Sequence, residues 1–465
     1  LIVFAFQQLL AIITATIVVP ILVNAYGVVN LEMDPAAALL GAGIGTLVYQ
    51  FFTKKKSLVF LGSSFAFLSS MYSATVFGFF GIILGAVFAG AVYVVIALLV
   101  KAVGSGWLNK LMPTVVIGPT VALIGLSLAG NAVGDLTKAS ATGEAYSLAA
   151  IVCGLFTLAV TIWVCAKGKG FVKLIPFIVG VLAGYALASV FTLIGTVAGV
   201  DALKVIDYSA LVNNFSTINL GSFFHLPKFA FVEAFKELSG GGFAMKLADF
   251  GTLMLLYAPV AFVVFAEHVA DHKNISSIIE RDLLAEPGLD KTLLGDGVGS
   301  MAGAFFGCCP NTTYGESVGC VALTKNASIV TIRTAALLSI CLAFFSPFVA
   351  FVNTIPSCVL GGICTALYGF IAVSGLKMIQ QVNLGASKNL FVAAVILITG
   401  IGGLSVSFGK VTLTSIACAL ILGILTNVLV SKAKATNSNT KEPSNRPDLY
   451  KDRGGFTVYF SRSAP

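Results

Sequence analysis

Asn311-Thr312-Thr313-Tyr314-Gly315-Glu316 is small, polar and closed by a carboxylate, yet apolar runs flank it at Met301–Phe306 and Ala335–Val352. Nearly every other acid of the chain falls in a loop or the tail. A carboxylate at membrane depth costs at least ~2.5 kcal/mol, so it reads as functional and needs a partner. The best partner is Glu267, in Phe265-Ala266-Glu267-His268 at the end of another apolar run. Two such acids, one beside a run that cannot be ordinary helix, point to a polar substrate site inside a membrane transporter.

Composition agrees. Hydrophobic residues make up 57 % of the 465, charged residues 10 %, and mean hydropathy is +0.98; soluble domains carry ~25 % charge. Apolar runs long enough to span a bilayer recur along the chain. The first, Leu1–Val23, lacks a basic n-region and a small-residue cleavage site, and reads as a span rather than a signal peptide. The net charge of +8 reflects Lys and Arg on cytoplasmic loops and not a nucleic-acid partner. The nine Cys lie mostly in apolar runs. Cys308-Cys309 have no His cluster beside them, so no metal site is indicated.

Fourteen candidate spans fall near 4–24, 36–52, 62–76, 78–100, 111–129, 146–166, 171–197, 250–271, 292–307, 311–324, 329–352, 356–376, 389–405 and 411–431. The fold expected is an all-α polytopic membrane protein, with short strands in the broken third and tenth spans. Basic residues, among them Lys54-Lys55-Lys56, Lys167, Lys169, Lys173, Lys273 and Lys377, gather on one side. The positive-inside rule makes that side cytoplasmic, and an even span number puts both termini there.

An internal repeat is visible. Met112-Pro113-Thr114-Val115-Val116-Ile117-Gly118-Pro119 resembles Ile355-Pro356-Ser357-Cys358-Val359-Leu360-Gly361-Gly362, and a similar offset brings the third span onto the tenth. Seven spans per half is odd, so the halves run through the membrane in opposite directions. Interrupted segments at matching places in inverted halves point to a transport site. Residues 201–249 form an external loop outside the repeat, expected to lie on the membrane surface or cap the entrance. Residues 433–465 read as a disordered cytoplasmic tail.

Non-helical backbone at membrane depth survives only where protein buries it or it lines a wet cavity. Ser63–Phe67 and Asn311–Gly315 are expected to be extended and paired, with their remaining N–H and C=O groups, and the N-termini of the half-helices that follow, aimed at a ligand. Such a site suits a flat, neutral ligand with alternating donors and acceptors, with Phe65 and Tyr314 as aromatic walls. Acids taken out of water make natural proton carriers. Asp271 lies one helical turn beyond Glu267 and extends a relay toward the cytoplasm. His268 and His272 beside them read as structural.

At these residues the chain resembles the nucleobase–ascorbate transporter family, and specifically its bacterial uracil-directed members. The matching pieces are Gln7, Ala11 and Ala15-Thr16 to Pro20; Leu61-Gly62-Ser63-Ser64-Phe65-Ala66-Phe67; Ala266-Glu267-His268-Val269; Asp282-Leu283-Leu284 with Pro287-Gly288-Leu289; Pro310 to Glu316; and Leu367-Tyr368-Gly369. The likeness runs to about Val430. It implies seven plus seven inverted spans divided between a core (1–105 and 250–354) and a gate (106–200 and 355–432), alternating access between them, and a homodimer built through the gates in the plasma (inner) membrane. It implies uracil as substrate and the proton as coupling ion, with no other cofactor. Carried over, Glu267 and Glu316 would bind the ring, Phe65 and Gly315 would use backbone groups, Ala15 and Tyr314 would wall the pocket, and Tyr368 would face it from the gate. Glu267, Asp271 and Glu316 are the proton-coupling residues expected. Three positions depart from the family pattern: Asp271 and Gln8, each where a His is expected, and Ser317 where an Asn is expected.

Two rivals share the architecture: a transporter of xanthine or thymine, and an anion exchanger. The latter should place a basic residue in the third or tenth span, and none stands between Gly62 and Thr75 or between Pro310 and Thr324. An intramembrane hydrolase would need a nucleophile with its base or paired metal ligands at membrane depth; no His or Ser has suitable spacing to the acids, so no catalytic residue is assigned.

Overall fold

The computed structural model describes residues 2–436, except 30, 105, 140, 144–145, 241–245 and 409–410, together with 450–451 and 457–458. The described chain is mostly helical. Its first half runs α1 (Ile2–Tyr26), α2 (Pro35–Phe52), β1 (Leu61–Ser63), α3 (Leu68–Ala74), α4 (Gly78–Val103), α5 (Gly106–Leu111), α6 (Thr114–Ser127), α7 (Ala129–Thr137), α8 (Leu148–Lys167) and α9 (Pro176–Ala198). The long connection holds α10 (Ser209–Phe215) and α11 (Ala230–Ser239). The second half runs α12 (Leu247–Ile279), α13 (Leu289–Gly307), β2 (Asn311–Thr313), α14 (Gly315–Thr324), α15 (Ile329–Ala343), α16 (Ser346–Asn353), α17 (Ser357–Gln380), α18 (Ser387–Ile401), β3 (Val406–Phe408), β4 (Val411–Leu413) and α19 (Ser415–Thr436). Of the tail expected to be disordered, 433–436 instead continue α19 and Tyr450-Lys451 pairs with Thr457-Val458; the rest of it lies outside the described residues. Eight helical stretches among the described residues are long and apolar enough to cross a membrane, and the chain is an integral membrane protein.

The helices pack as two bodies. α1 to α4 gather with α12 to α15, and α6 to α9 gather with α17 to α19. Lipid tails are as apolar as leucine, so helices in a bilayer are held by close packing rather than by escape from water. The first body meets this with glycine. Gly295, Gly299, Gly303 and Gly307 recur every four residues along α13 and face α2. A Cβ at Gly41 would fall 2.4 Å from the Gly303 carbonyl oxygen, and one at Gly307 would fall 2.3 Å from that of Ala37. The two backbones therefore touch directly.

That contact flanks the irregular centre. β1 pairs antiparallel with β2, with Leu61 opposite Thr313, Gly62 opposite Thr312 and Ser63 opposite Asn311. The ladder is extended by the Ser64 N–H to the Pro310 carbonyl (2.9 Å) and the Tyr314 N–H to the Phe60 carbonyl (3.1 Å). All six strand residues are buried. Among the described residues neither strand pairs with a third; the backbone groups that the pairing leaves are met by side chains, with the Thr46 hydroxyl at Leu61, Ser300 at the Asn311 N–H and Tyr314 at the Ser63 carbonyl.

The long connection lies against the first body. Both carboxylate oxygens of Glu237 accept N–H groups at the start of α4, from Phe79 (3.0 Å) and Phe80 (3.2 Å). The Phe231 ring stacks on Phe305 at 4.8 Å. Asp34 caps α2 by accepting from the Ala36 N–H, and also meets His225 Nε2 and the Lys228 N–H, each at 2.9 Å. Burial disfavours the Asp34 charge, but these partners outweigh it and hold the carboxyl below the usual range.

Candidate substrate site

Each strand runs into a short helix. β1 leads through a tight turn at Phe65–Phe67 into α3, and β2 leads into α14. Phe65 and Ala66 from the first crossing, and Gly315 and Glu316 from the second, line one cavity of about 430 Å³ between the two bodies. The N–H groups in the first turn of α14 have no helical acceptor, and the helix dipole adds partial positive charge there.

α12 supplies Glu267 and Asp271, one turn apart, to the same cavity. Both are half-buried, as is Glu316, and the three lie close enough to interact electrostatically. Asp271 Oδ2 accepts the Thr313 hydroxyl at 2.7 Å. Thr312 also lines the cavity, and its hydroxyl has no protein partner among the described residues.

Tyr314 lines the cavity but is held from behind. Its hydroxyl donates to the Ser63 carbonyl at 2.8 Å, so the ring lies along β1. A Cβ at Gly62 would come within 2.3 Å of the Tyr314 Cζ, and an aromatic ring tied at its hydroxyl cannot step aside cheaply. Gly62→Ala is therefore expected to displace Tyr314 and the start of α14. Ligand affinity should fall at least ~10-fold, as for ~1.4 kcal/mol lost, in calorimetric titration; unchanged affinity would show that Tyr314 has room to move.

Two of the residues carried over from the family do not line the cavity. Ala15 is buried in α1, at 1 % exposure, while Ala11 a turn earlier reaches the cavity. Tyr368 is buried at 2 % and packs edge-on against Phe65, with ring centroids 5.7 Å apart. The second body instead contributes Val121, Ile124, Phe177, Phe370, Ile371, Ser374 and Met378, with Lys173 at the rim. These residues of the second body carry no signal in the sequence, because apolar side chains facing a cavity and those facing lipid look alike. The other departures from the family pattern meet each other: Gln8 Nε2 donates to the Ser317 carbonyl at 3.2 Å. Ser317 itself is fully buried and outside the cavity lining.

Behind the acids lies a second polar layer. His268 is fully buried, with Nδ1 2.7 Å from Asp296 Oδ2 and Nε2 3.1 Å from Thr292 Oγ1. His272 is also fully buried; its Nδ1 is 2.7 Å from the His268 carbonyl and its Nε2 2.6 Å from the Tyr49 hydroxyl. Both imidazoles brace α12 and neither lines the cavity. Asp296, in α13 at 1 % exposure, corrects the expectation that the remaining acids sit in loops. Its signal in the sequence is the same as that of Glu316, an acid at membrane depth, here within Gly295-Asp296-Gly297.

At the far end of α1 the two bodies are clasped. The Tyr26 hydroxyl donates to Asp135 Oδ1 on α7 at 2.6 Å, and Lys138 Nζ stands 3.1 Å from that hydroxyl and 3.2 Å from the carboxylate. Asn131 Nδ2 donates to the Tyr72 hydroxyl on α3 at 3.2 Å.

Comparison with known proteins gives the family and the fold. The model described as "Permease family" (Xan_ur_permease) matches residues 1–409. The chain is 34 % identical over 433 residues to a uracil permease of Bacillus caldolyticus, covering 91 % of this chain and 90 % of that one. It is 34 % identical over 420 residues to the uracil permease of Escherichia coli K12 (90 % and 88 % covered), and 32 % identical over 436 residues to the putative pyrimidine permease RutG of that strain (92 % and 88 % covered). Among solved structures, murine Slc26a9, an anion transporter in the inward-facing state, superposes with a TM-score of 0.62 at 10 % identity over 93 % of this chain and 68 % of that one. The transmembrane domain of the cyanobacterial bicarbonate transporter BicA gives 0.56 at 13 % identity over 91 % and 96 %; at these identities the likeness is one of fold. The chain belongs to this permease family, as the motifs from Gly62 to Gly369 imply, and is a transporter rather than an enzyme.

Proposed function

We propose that this permease imports uracil together with a proton, by alternating access. The observation that carries this reading is the convergence of Glu267, Asp271 and Glu316 with the first turn of α14 on one cavity between two helical bodies. Uracil is planar and carries ring N–H donors beside carbonyl acceptors. Carboxylates accept from the N–H edge, and the free N–H groups of α14 donate to a carbonyl. A site that bonds both kinds of group rejects analogues lacking one, because its own polar groups are then left unpaired. Relatives named for uracil and pyrimidine support this substrate. Anion exchange fits less well: three carboxylates line the cavity, and the one lysine stands at its rim.

The body holding β1 and β2 is the core, and the other is the gate. The chain is read as fourteen membrane segments in two inverted sevens, with both termini in the cytoplasm and two copies joined through their gates. The cavity lining reaches Lys173 and Met378, on the side where the basic loops collect, so the form described is open inward. The Tyr26–Asp135–Lys138 cluster then latches the outer side. Tyr26→Phe removes its shortest bond and should shift the population toward the outward-open form. Spin labels on the end of α1 and on α7 should give a distance distribution displaced to longer values, and an unchanged distribution rejects the latch.

The test of function is calorimetric titration of the purified protein with uracil, thymine, xanthine and bicarbonate at two pH values. Uracil should bind most tightly, with proton exchange that differs between the two pH values. Tightest binding of xanthine or thymine would reassign the substrate, and saturable bicarbonate binding would favour the anion reading.

A further inference from the structure

Beside the strand pair, and separate from the substrate cavity, lies a small space of about 10 Å³ lined by Tyr93 of α4, Asp296 and Ser300 of α13 and Asn311 of β2, among apolar neighbours. Three buried oxygens of these lining residues have no partner among the described residues: Asp296 Oδ1, Asn311 Oδ1 and the Tyr93 hydroxyl. Their residues are 1 %, 2 % and 4 % exposed. The remaining polar atoms of the two acceptors are committed. Asp296 Oδ2 is taken by His268, and Asn311 Nδ2 donates to the Gly41 carbonyl at 3.0 Å, which orients its amide. Ser300 Oγ accepts the Asn311 N–H at 3.0 Å.

We propose that this space is a binding site for one water molecule. Buried polar groups in proteins are rarely left unsatisfied, and ordered water commonly completes them. The guest must be small, must donate to Asp296 Oδ1 and Asn311 Oδ1, and must accept from the Tyr93 O–H. Water has two donors and a free acceptor, and the volume is that of about one water. The bound molecule ties α4 and α13 to β2 and fixes the strand that presents Thr312 and Thr313. It also holds Asp296 in place against His268, which braces α12 behind Glu267. The site goes beyond the substrate reading and stands whatever the permease carries.

The test is an experimental structure of the ligand-free protein at a resolution that reveals ordered water. One density peak within about 2.7–3.2 Å of all three oxygens is expected, and an empty space overturns the proposal. Thermal unfolding decides the chemistry of the guest. The midpoint should be the same in sodium and choline salts at equal ionic strength, and a rise in sodium alone would make the guest a cation and overturn the assignment to water. Tyr93→Phe should weaken the peak and lower the midpoint; if that variant fails to fold, the wild-type density still decides. Neither readout involves transport, so failure here is separate from failure of the substrate assignment.

Discussion

Glu316→Ala should weaken uracil binding by about 10-fold to 100-fold in calorimetric titration, since losing a hydrogen bond to a charged group costs ~1.5–3 kcal/mol and each ~1.4 kcal/mol is tenfold. Three features make Glu316 the position of largest effect. It stands in the first turn of α14, where the helix end favours a carboxylate. It opens into the cavity rather than into the protein. It also shares that cavity with Glu267, so the two acids can address different donors on one ring. Truncation to Ala leaves the β1–β2 ladder untouched, because that ladder ends at Tyr314. The variant should therefore keep its unfolding midpoint while losing its ligand. Retained affinity would exclude Glu316 from the site.

Asp271→Asn should uncouple transport from the proton gradient. Asp271 accepts a hydrogen bond from Thr313 and lines the cavity one turn beyond Glu267. Asn is nearly the same size and accepts the same bond through its side-chain carbonyl, but it carries no proton. A gradient of one pH unit is worth ~1.4 kcal/mol per proton, which sustains about tenfold accumulation. In proteoliposomes the wild type should concentrate labelled uracil by about that factor when the compartment it leaves is more acidic by one unit. Asp271→Asn should equilibrate uracil without concentrating it, and its calorimetric affinity should remain close to wild type. Accumulation that persists in the variant would move the coupling role to Glu267 or Glu316.

The parts of the site legible in the sequence are those where polarity contradicts its surroundings. Ser63–Phe67 and Asn311–Gly315 stand out against apolar neighbours, and the pairing falls there but shifted: the strands are Leu61–Ser63 and Asn311–Thr313, while Phe65–Phe67 forms a tight turn and Gly315 opens α14. Glu267, Asp271 and Glu316 stand out for the same reason and reach a common cavity. Asp296 is masked in the sequence, because three glycines and a serine nearby make its helix look like an ordinary polar stretch. What periodicity cannot resolve is direction within an apolar helix. Ala11 rather than Ala15 faces the cavity on α1, and Phe370, Ile371, Ser374 and Met378 rather than Tyr368 face it on α17. On α1 the two alanines share a face and depth decides, one turn apart; on α17 a rotation of about one residue decides, and in membrane helices apolar residues cover every face. The external connection was equally illegible. Its seat on the first body depends on Glu237 reaching α4 and His225 reaching Asp34, contacts between segments more than a hundred residues apart.

The central claim is that the three acids and the first turn of α14 together form the nucleobase site, and the most direct measurement is a structure of the protein with uracil bound. The account predicts the ring in the cavity between the two bodies, with its N–H groups at hydrogen-bond distance from Glu267 and Glu316 and a carbonyl facing the N–H groups of α14. Uracil bound elsewhere, or bound there with both carboxylates out of hydrogen-bond reach, would contradict it.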